Sequence, residues 1–163
     1  MKIFFLFLLS FIIIGCNSNK VKIIKSPNSI VINEISITIP KSWSKDNSLK
    51  LWREKHSGAI INIETESSIL SLQDYMTEAL DVIKKVYSYI EIDKNMGKID
   101  KYPYLDSVAE IEIEDRIMLV HTLIIDKDNL KITLTIAVNK KRVDMVNSDF
   151  NYIINNLKLR GNL

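Results

Sequence analysis

The sequence predicts an α+β domain in which two helices cover an antiparallel β-sheet. Three observations carry this: stretches of period-two alternation, two stripes of period 3.6, and tight turns between successive alternating stretches. Alternation puts every second side chain on one face of a strand, while a 3.6 period gathers positions i, i+3, i+4 and i+7 on one side of a helix. Tight turns make antiparallel pairs, because a parallel pair needs a crossover of about a dozen residues. The order strands, helix, strands, helix then gives one sheet with helices packed on it.

The elements follow in chain order. Ile35, Ile37 and Ile39 alternate with Glu34, Ser36 and Thr38, as in a strand with one buried face. Ile30 and Ile32 have the opposite parity, which places a turn or bulge at Asn33-Glu34. Pro40 ends the strand, and Trp43 follows in a loop. Strands from Leu49 to Glu54 and from Ala59 to Thr65 are joined by Lys55-His56-Ser57-Gly58, a hairpin turn with Gly58 available for positive φ.

Leu72, Tyr75 with Met76, Ala79, Ile83, Val86 with Tyr87, and Ile90 then fall on one helical stripe. Ser71 is its N-cap, Asp74 a capping-box variant three residues on, and Leu70 with Tyr75 a hydrophobic staple. Asn95-Met96-Gly97 and Tyr102-Pro103 mark turns around a short strand from Lys98 to Asp100. In the strand from Leu105 to Glu114, Leu105, Ser107, Ala109, Ile111 and Ile113 face away from Asp106, Glu110, Glu112 and Glu114. The stretch from Arg116 to Ile125 is apolar on both faces, the mark of a central strand. After the turn Asp126-Lys127-Asp128-Asn129, Leu130 to Val138 alternates. A closing helix carries Val143, Val146, Phe150, Ile153 with Ile154, and Leu157, with Gly161 past its end.

The beginning of the chain has a different character. Lys2 precedes an apolar run from Ile3 to Ile14, which is shorter than the roughly 20 residues a membrane-crossing helix needs. A charged start, a short apolar middle and a small residue before the cut describe a secretory signal peptide. Ile13-Ile14-Gly15-Cys16 closes the run and resembles a bacterial lipobox, with the sole cysteine of the chain in the modified position. The resemblance implies cleavage between Gly15 and Cys16 and attachment of a diacylglyceryl group to the Cys16 thiol. Two acyl chains anchor stably where one holds only marginally. The division is therefore residues 1–15 as signal peptide, 16–28 as lipidated tether and 29–163 as one α+β domain. Val21 to Ile24 within the tether is alternatively the start of an edge strand. The protein is placed on the exported side of the cell membrane or outer membrane. Asn17, where some Gram-negative species use aspartate for inner-membrane retention, leans that choice outward.

A further resemblance rests on Ile35-Ser36-Ile37-Thr38-Ile39-Pro40-Lys41-Ser42-Trp43, on Ser71-Leu72-Gln73-Asp74-Tyr75 and on the closing Phe150-x-x-Ile153. In order and spacing these are similar to the PsbP/DcrB-like α/β/α sandwich domains, from about residue 30 to residue 159. That family often has a glycine in the short strand before its long hairpins, where Tyr102-Pro103 stands nearby here. The resemblance implies an exported, often lipid-anchored domain that binds or helps assemble partners, and it supplies no catalytic residues.

The residues themselves carry little catalytic signal. A net charge of +2 without a basic run argues against nucleic acid, and 47% hydrophobic residues with few glycines and prolines describe an ordered domain. Of the two histidines, His121 sits in an apolar strand as a hydrogen-bonded core or edge residue, and His56 sits in a solvated turn. No nucleophile elbow or phosphate-binding glycine loop occurs. Glu110, Glu112 and Glu114, with Asp106 in line, could hold a hard cation; the preferred reading is a solvated face paired with lysines such as Lys131. Trp43, Trp52, Tyr102 and Tyr104 are the aromatics that periodicity explains least. Core packing is expected for Trp43, while Trp52 is exposed or covered by a helix. Trp52, Tyr102 and Tyr104 are candidate partner contacts.

The expectation is a lipid-anchored, non-catalytic binding or assembly module of the cell envelope, without cofactor. A lipid or small-molecule carrier with a pocket between sheet and helices is the alternative, and an envelope hydrolase the second alternative.

Overall fold

The strands Arg116–Lys127 (β9) and Leu130–Asn139 (β10) are buried on both faces along most of their length, so the sheet around them needs two covers. The computed structural model describes residues 22–23, 29–32, 35–46 and 51–159, and it supplies both. In chain order the elements are β1 (Lys22–Ile23), β2 (Ser29–Ile32), β3 (Ile35–Thr38), β4 (Trp43–Asp46), β5 (Leu51–Glu54) and β6 (Ile60–Ser67). Helix α1 (Leu72–Val86), β7 (Tyr89–Ile99) and β8 (Tyr102–Ile113) lead to β9 and β10. A 3-10 helix (Lys140–Met145), α2 (Asn147–Asn155) and β11 (Lys158–Leu159) close the chain. The proposed signal peptide and the Gly15-Cys16 cleavage site lie outside the described residues, as do Gly161 and Asn33-Glu34.

The main sheet has seven strands in the order β4-β5-β6-β10-β9-β8-β7, and the pairs between neighbours are antiparallel. On one face α1 buries Leu72, Tyr75, Met76, Ala79, Leu80 and Ile83 against Leu105, Ile111, Val120 and Ile124. Each fully buried side chain of this size contributes about 1.5–3 kcal/mol. The Ser71 hydroxyl accepts from the Asp74 N–H at 3.1 Å and so caps the helix as predicted. On the opposite face Val146, Ile153 and Leu157 join Ile35, Ile37 and Ile39 over Leu123, Ile125, Ile132 and Leu134. The result is an α+β sandwich with a helix on each side of the sheet.

The second cover contains more than a helix. β1, β2, β3 and β11 form a separate four-stranded sheet, in which the C-terminal β11 pairs with β3 through Lys158 opposite Ser36 and Leu159 opposite Ile35. The period-two stretch at Ile35 thus belongs to this small sheet, and Lys22–Ile23 pairs with β2 as its edge.

Several local expectations are corrected. Trp43 opens β4 opposite Glu54, because its indole is buried in the second core and its Nε1 donates to Asp149 Oδ2 at 2.7 Å. Asn95-Met96-Gly97 is no turn; these residues pair with Asp106, Leu105 and Tyr104 inside the continuous strand β7. The Tyr104 ring lies over Gly97, within 2.8 Å of where a Cβ would stand, so a strand glycine does occur here before a long hairpin. The turn is Asp100-Lys101, with Asp100 at φ 56°. Tyr102 and Pro103 are in β8, and Pro103 is tolerated because pairing with β9 begins only at Tyr104. Ile90 leaves the helical stripe because Tyr87 is already extended at φ −127°.

The last helix is also broken. Asn139 Oδ1 accepts from the Lys141 N–H and starts a 3-10 turn, and the α-helix restarts only after Val146. Leu157 is buried beyond its end. The two remaining hairpins turn on Glu114-Asp115 (φ 47° and 60°) and Asp128-Asn129 (φ 54° and 67°), the positive-φ pair of a type I′ turn. Asn-Gly suits that turn better than Glu-Asp. The double substitution Glu114→Asn, Asp115→Gly is therefore expected to raise stability by about 1 kcal/mol, read as a higher urea midpoint with an unchanged slope.

Candidate functional site

Three polar assemblies stand out against the two cores. The first lies under α1, where β6 and β10 carry polar residues on the helix-facing side. Lys131, fully buried, donates from Nζ to Asp126 Oδ2 at 2.8 Å and to the Ser68 carbonyl at 2.9 Å. Beside it the Tyr75 hydroxyl donates to Glu66 Oε2 at 2.9 Å, and burial pushes that phenol well above its ordinary range, with Glu66 adding to the effect. Burial also pushes the Glu64 carboxyl up to about 7; a hydrogen bond from Asn62 opposes this and the charge of Glu66 adds to it. Tyr89 Oη, Ser107 Oγ and Thr133 Oγ1 are buried without a hydrogen bond of good geometry.

The second assembly is on the α2 side. His121 Nε2 lies 2.5 Å from Asp106 Oδ1, and the imidazole stacks on Phe150 with centroids 3.6 Å apart. This is the hydrogen-bonded strand histidine that the sequence implies. Asp149, on the first turn of α2, accepts from Trp43 Nε1 and, at 3.3 Å, from Ser42 Oγ. These contacts tie α2 to the β3–β4 connection.

The third assembly shapes the β5–β6 turn. Glu54 Oε2 accepts from the His56 N–H, the Ser57 N–H and the Ser57 hydroxyl at 2.6–2.8 Å. Burial works against the Glu54 charge, but these bonds hold its pKa below the ordinary value. His56 is exposed and Gly58 takes φ 71°, both as predicted.

The carboxylate row does not converge. Glu110 pairs with Lys140, Glu112 is exposed, and Glu114 sits in the left-handed turn instead of on the strand. Lys131 is not their partner: it lies on the other face of the sheet, two strands away, bound to Asp126. Among the described residues no three His, Cys, Asp or Glu side chains are grouped to hold a metal ion.

Trp52, Tyr102 and Tyr104 are half-buried and pack against the second core. Trp52 stands opposite Ile61 on β6, far across the sheet from the two tyrosines on β8. Tyr102 also lines an open cleft of about 330 Å³ with Lys101, Pro103, Asp126, Asp128 and Asn129. This cleft lies at two hairpin tips, not between sheet and helices. Lys101 and Lys127 place their ammonium groups 5.2 and 5.7 Å from the Tyr102 ring centre. Periodicity could not reveal the exposed apolar positions of β7, Ile90, Ile92 and Met96 at 59%, 52% and 60% exposure, because it puts Ile90 on the helical stripe and Met96 in a turn and assigns Ile92 to neither.

Comparison with known proteins defines the class through structure. No family model matches the sequence, and no curated protein matches it significantly. The fold is similar to a Pseudomonas aeruginosa protein of unknown function, PA94, at TM-score 0.62 and 14% identity, over 83% of this chain and 98% of that one. It is similar to the cyanobacterial PsbP protein CyanoP from Synechocystis sp. PCC 6803 at TM-score 0.55 and 13% identity, over 77% and 86%. LpqN of Mycobacterium tuberculosis, a protein involved in cell envelope biogenesis, matches at TM-score 0.56 and 9% identity, over 87% and 90%. The chain has a PsbP-like α+β fold.

Glu64 gives a pH test of the assembly under α1. Its folded-state pKa is raised, so the folded protein holds a proton that the unfolded chain has lost between about pH 4.3 and about 7. This contribution to stability is present at low pH and falls as pH rises through that window. Glu64→Gln is expected to match the wild type at pH 4 and to exceed it at pH 8, measured by denaturant unfolding at both pH values.

Proposed function

We propose that this chain is a lipid-anchored lipoprotein of the cell envelope whose PsbP-like domain is a non-catalytic module for binding or assembling a partner. The observation that carries the reading is Ile13-Ile14-Gly15-Cys16, with the sole cysteine at the acceptor position of a lipobox. The envelope role of the structurally similar LpqN supports the same placement. No helix among the described residues is long and apolar enough to cross a membrane. Attachment through Cys16 is the proposed route to the bilayer.

The chemistry of the domain supports binding over catalysis. His121 is engaged by a carboxylate and an aromatic ring, and an apolar cluster packs against each face of the sheet. In native membranes the mature protein should carry a diacylglyceryl group on Cys16, seen by mass spectrometry of the N-terminal peptide. Cys16→Ser should lose that mass and leave the membrane fraction. An unmodified wild-type Cys16 would refute the anchor.

A further inference from the structure

The edge strand β7 and the shelf beside it carry an inference that rests on the binding-module reading and deepens it. β7 is eleven residues long and among the described residues pairs only with β8, so its outer row of backbone N–H and C=O groups faces away from the sheet. An uncovered edge of this length is a template for an added strand. Short exposed strands and loops elsewhere lack that reach.

The register tells which side chains flank the edge. On β8, Asp106, Val108, Glu110 and Glu112 lie on the α2 side, as their pairing with Leu123, His121, Leu119 and Ile117 requires. The adjacent positions of β7 are Ile90 opposite Glu110, Asp93 opposite Val108 and Asn95 opposite Asp106, with a bulge at Ile92. α2 covers the centre of the sheet and leaves this outer shelf open: Ile90, Asp93 and Glu112 are exposed, Asp106 and Glu110 are partly so, and Ile92 is exposed in the bulge.

Acidic side chains outnumber basic ones on that shelf. Asp93, Asp106, Glu110 and Glu112 are answered by Lys140, which pairs with Glu110, and by His121, which contacts Asp106. Lys94 and Lys98 are opposite Ser107 and Pro103 and so face the α1 side. The β7 edge therefore combines an outward row of backbone groups, in which the Lys94 N–H is held by Asp93 Oδ1 at 2.8 Å, with exposed isoleucines and an acidic border.

We propose that the β7 edge and this shelf receive an extended, basic segment of a partner protein by strand addition. The strand supplies main-chain hydrogen bonds, Ile90 and Ile92 supply apolar contacts, and the carboxylates select lysine or arginine at alternate positions. A second copy of this chain is the poorer occupant. Pairing β7 with itself brings two acidic shelves together.

The probe is a short labelled peptide alternating lysine and valine, with a glutamate–valine counterpart, titrated against the full chain in detergent and followed by anisotropy. The lysine peptide should bind saturably, weaken with added salt, and slow amide hydrogen exchange within Tyr89–Ile99; the glutamate peptide should not bind. Glu112→Lys should weaken binding about tenfold. Asp93→Asn, which keeps an acceptor for the Lys94 N–H, should weaken it less, with far-UV circular dichroism unchanged in both. Equal binding of both peptides, binding unaffected by Glu112→Lys, protection elsewhere than β7, or a dimer that already protects β7 would each overturn the proposal. None of these results bears on acylation of Cys16.

Discussion

Two strands that are buried on both faces set the terms for this molecule. Leu123, Ile124 and Ile125 on β9, and Ile132, Thr133 and Leu134 on β10, are all buried, with side chains pointing alternately to opposite sides. A sheet built around such strands is stable only when water is excluded from both faces. One cover is local in sequence: α1 returns directly from β6 and lies over β8 and β9. The other must be assembled from the two ends of the domain, β3 from one side and α2 with β11 from the other. The β3–β11 pairing and the bonds from Trp43 and Ser42 to Asp149 hold those ends together.

That construction directs where function can reside. With both faces of the central strands covered, the surfaces left to a partner are turns, hairpin tips, strand edges and the shelf beside β7. One edge is the short β4; the other is the long β7, beyond the reach of α2. The polar assembly under α1 works in a different way. Lys131, Asp126, Glu64, Glu66 and Tyr75 bring charge beneath the helix, where desolvation raises the carboxyl pKa of Glu64, and they couple that packing to pH. Their role is internal to the fold.

Much of the architecture was readable from spacing alone. Helix α1, its Ser71 cap, the long hairpins, the Gly58 turn and the α+β class follow from local patterns, because each is enforced by side chains close in sequence. What spacing could not show depends on partners distant in the chain. Trp43 joins a strand because Asp149 waits for its indole. Asn95-Met96-Gly97 reads as a turn by composition, yet Tyr104 covers the glycine and keeps the strand straight. The second small sheet needs β11 to meet β3, a pairing across the whole domain. Lys131 looked like a surface lysine by parity, but parity does not say which face has a helix over it. The same limit hid the acidic shelf: Glu110 and Glu112 were visible as a row, while Ile90 and Asp93 join them only through the β7 register.

The joining of the two ends of the domain is the claim on which the rest stands, and residue-resolved hydrogen exchange tests it most directly. Amides of Ile35–Thr38 and Lys158–Leu159 should be protected, and should open together with those of β9 and β10 as denaturant is added. Free exchange of β3 and β11 while the seven-stranded sheet stays fully protected would contradict the account.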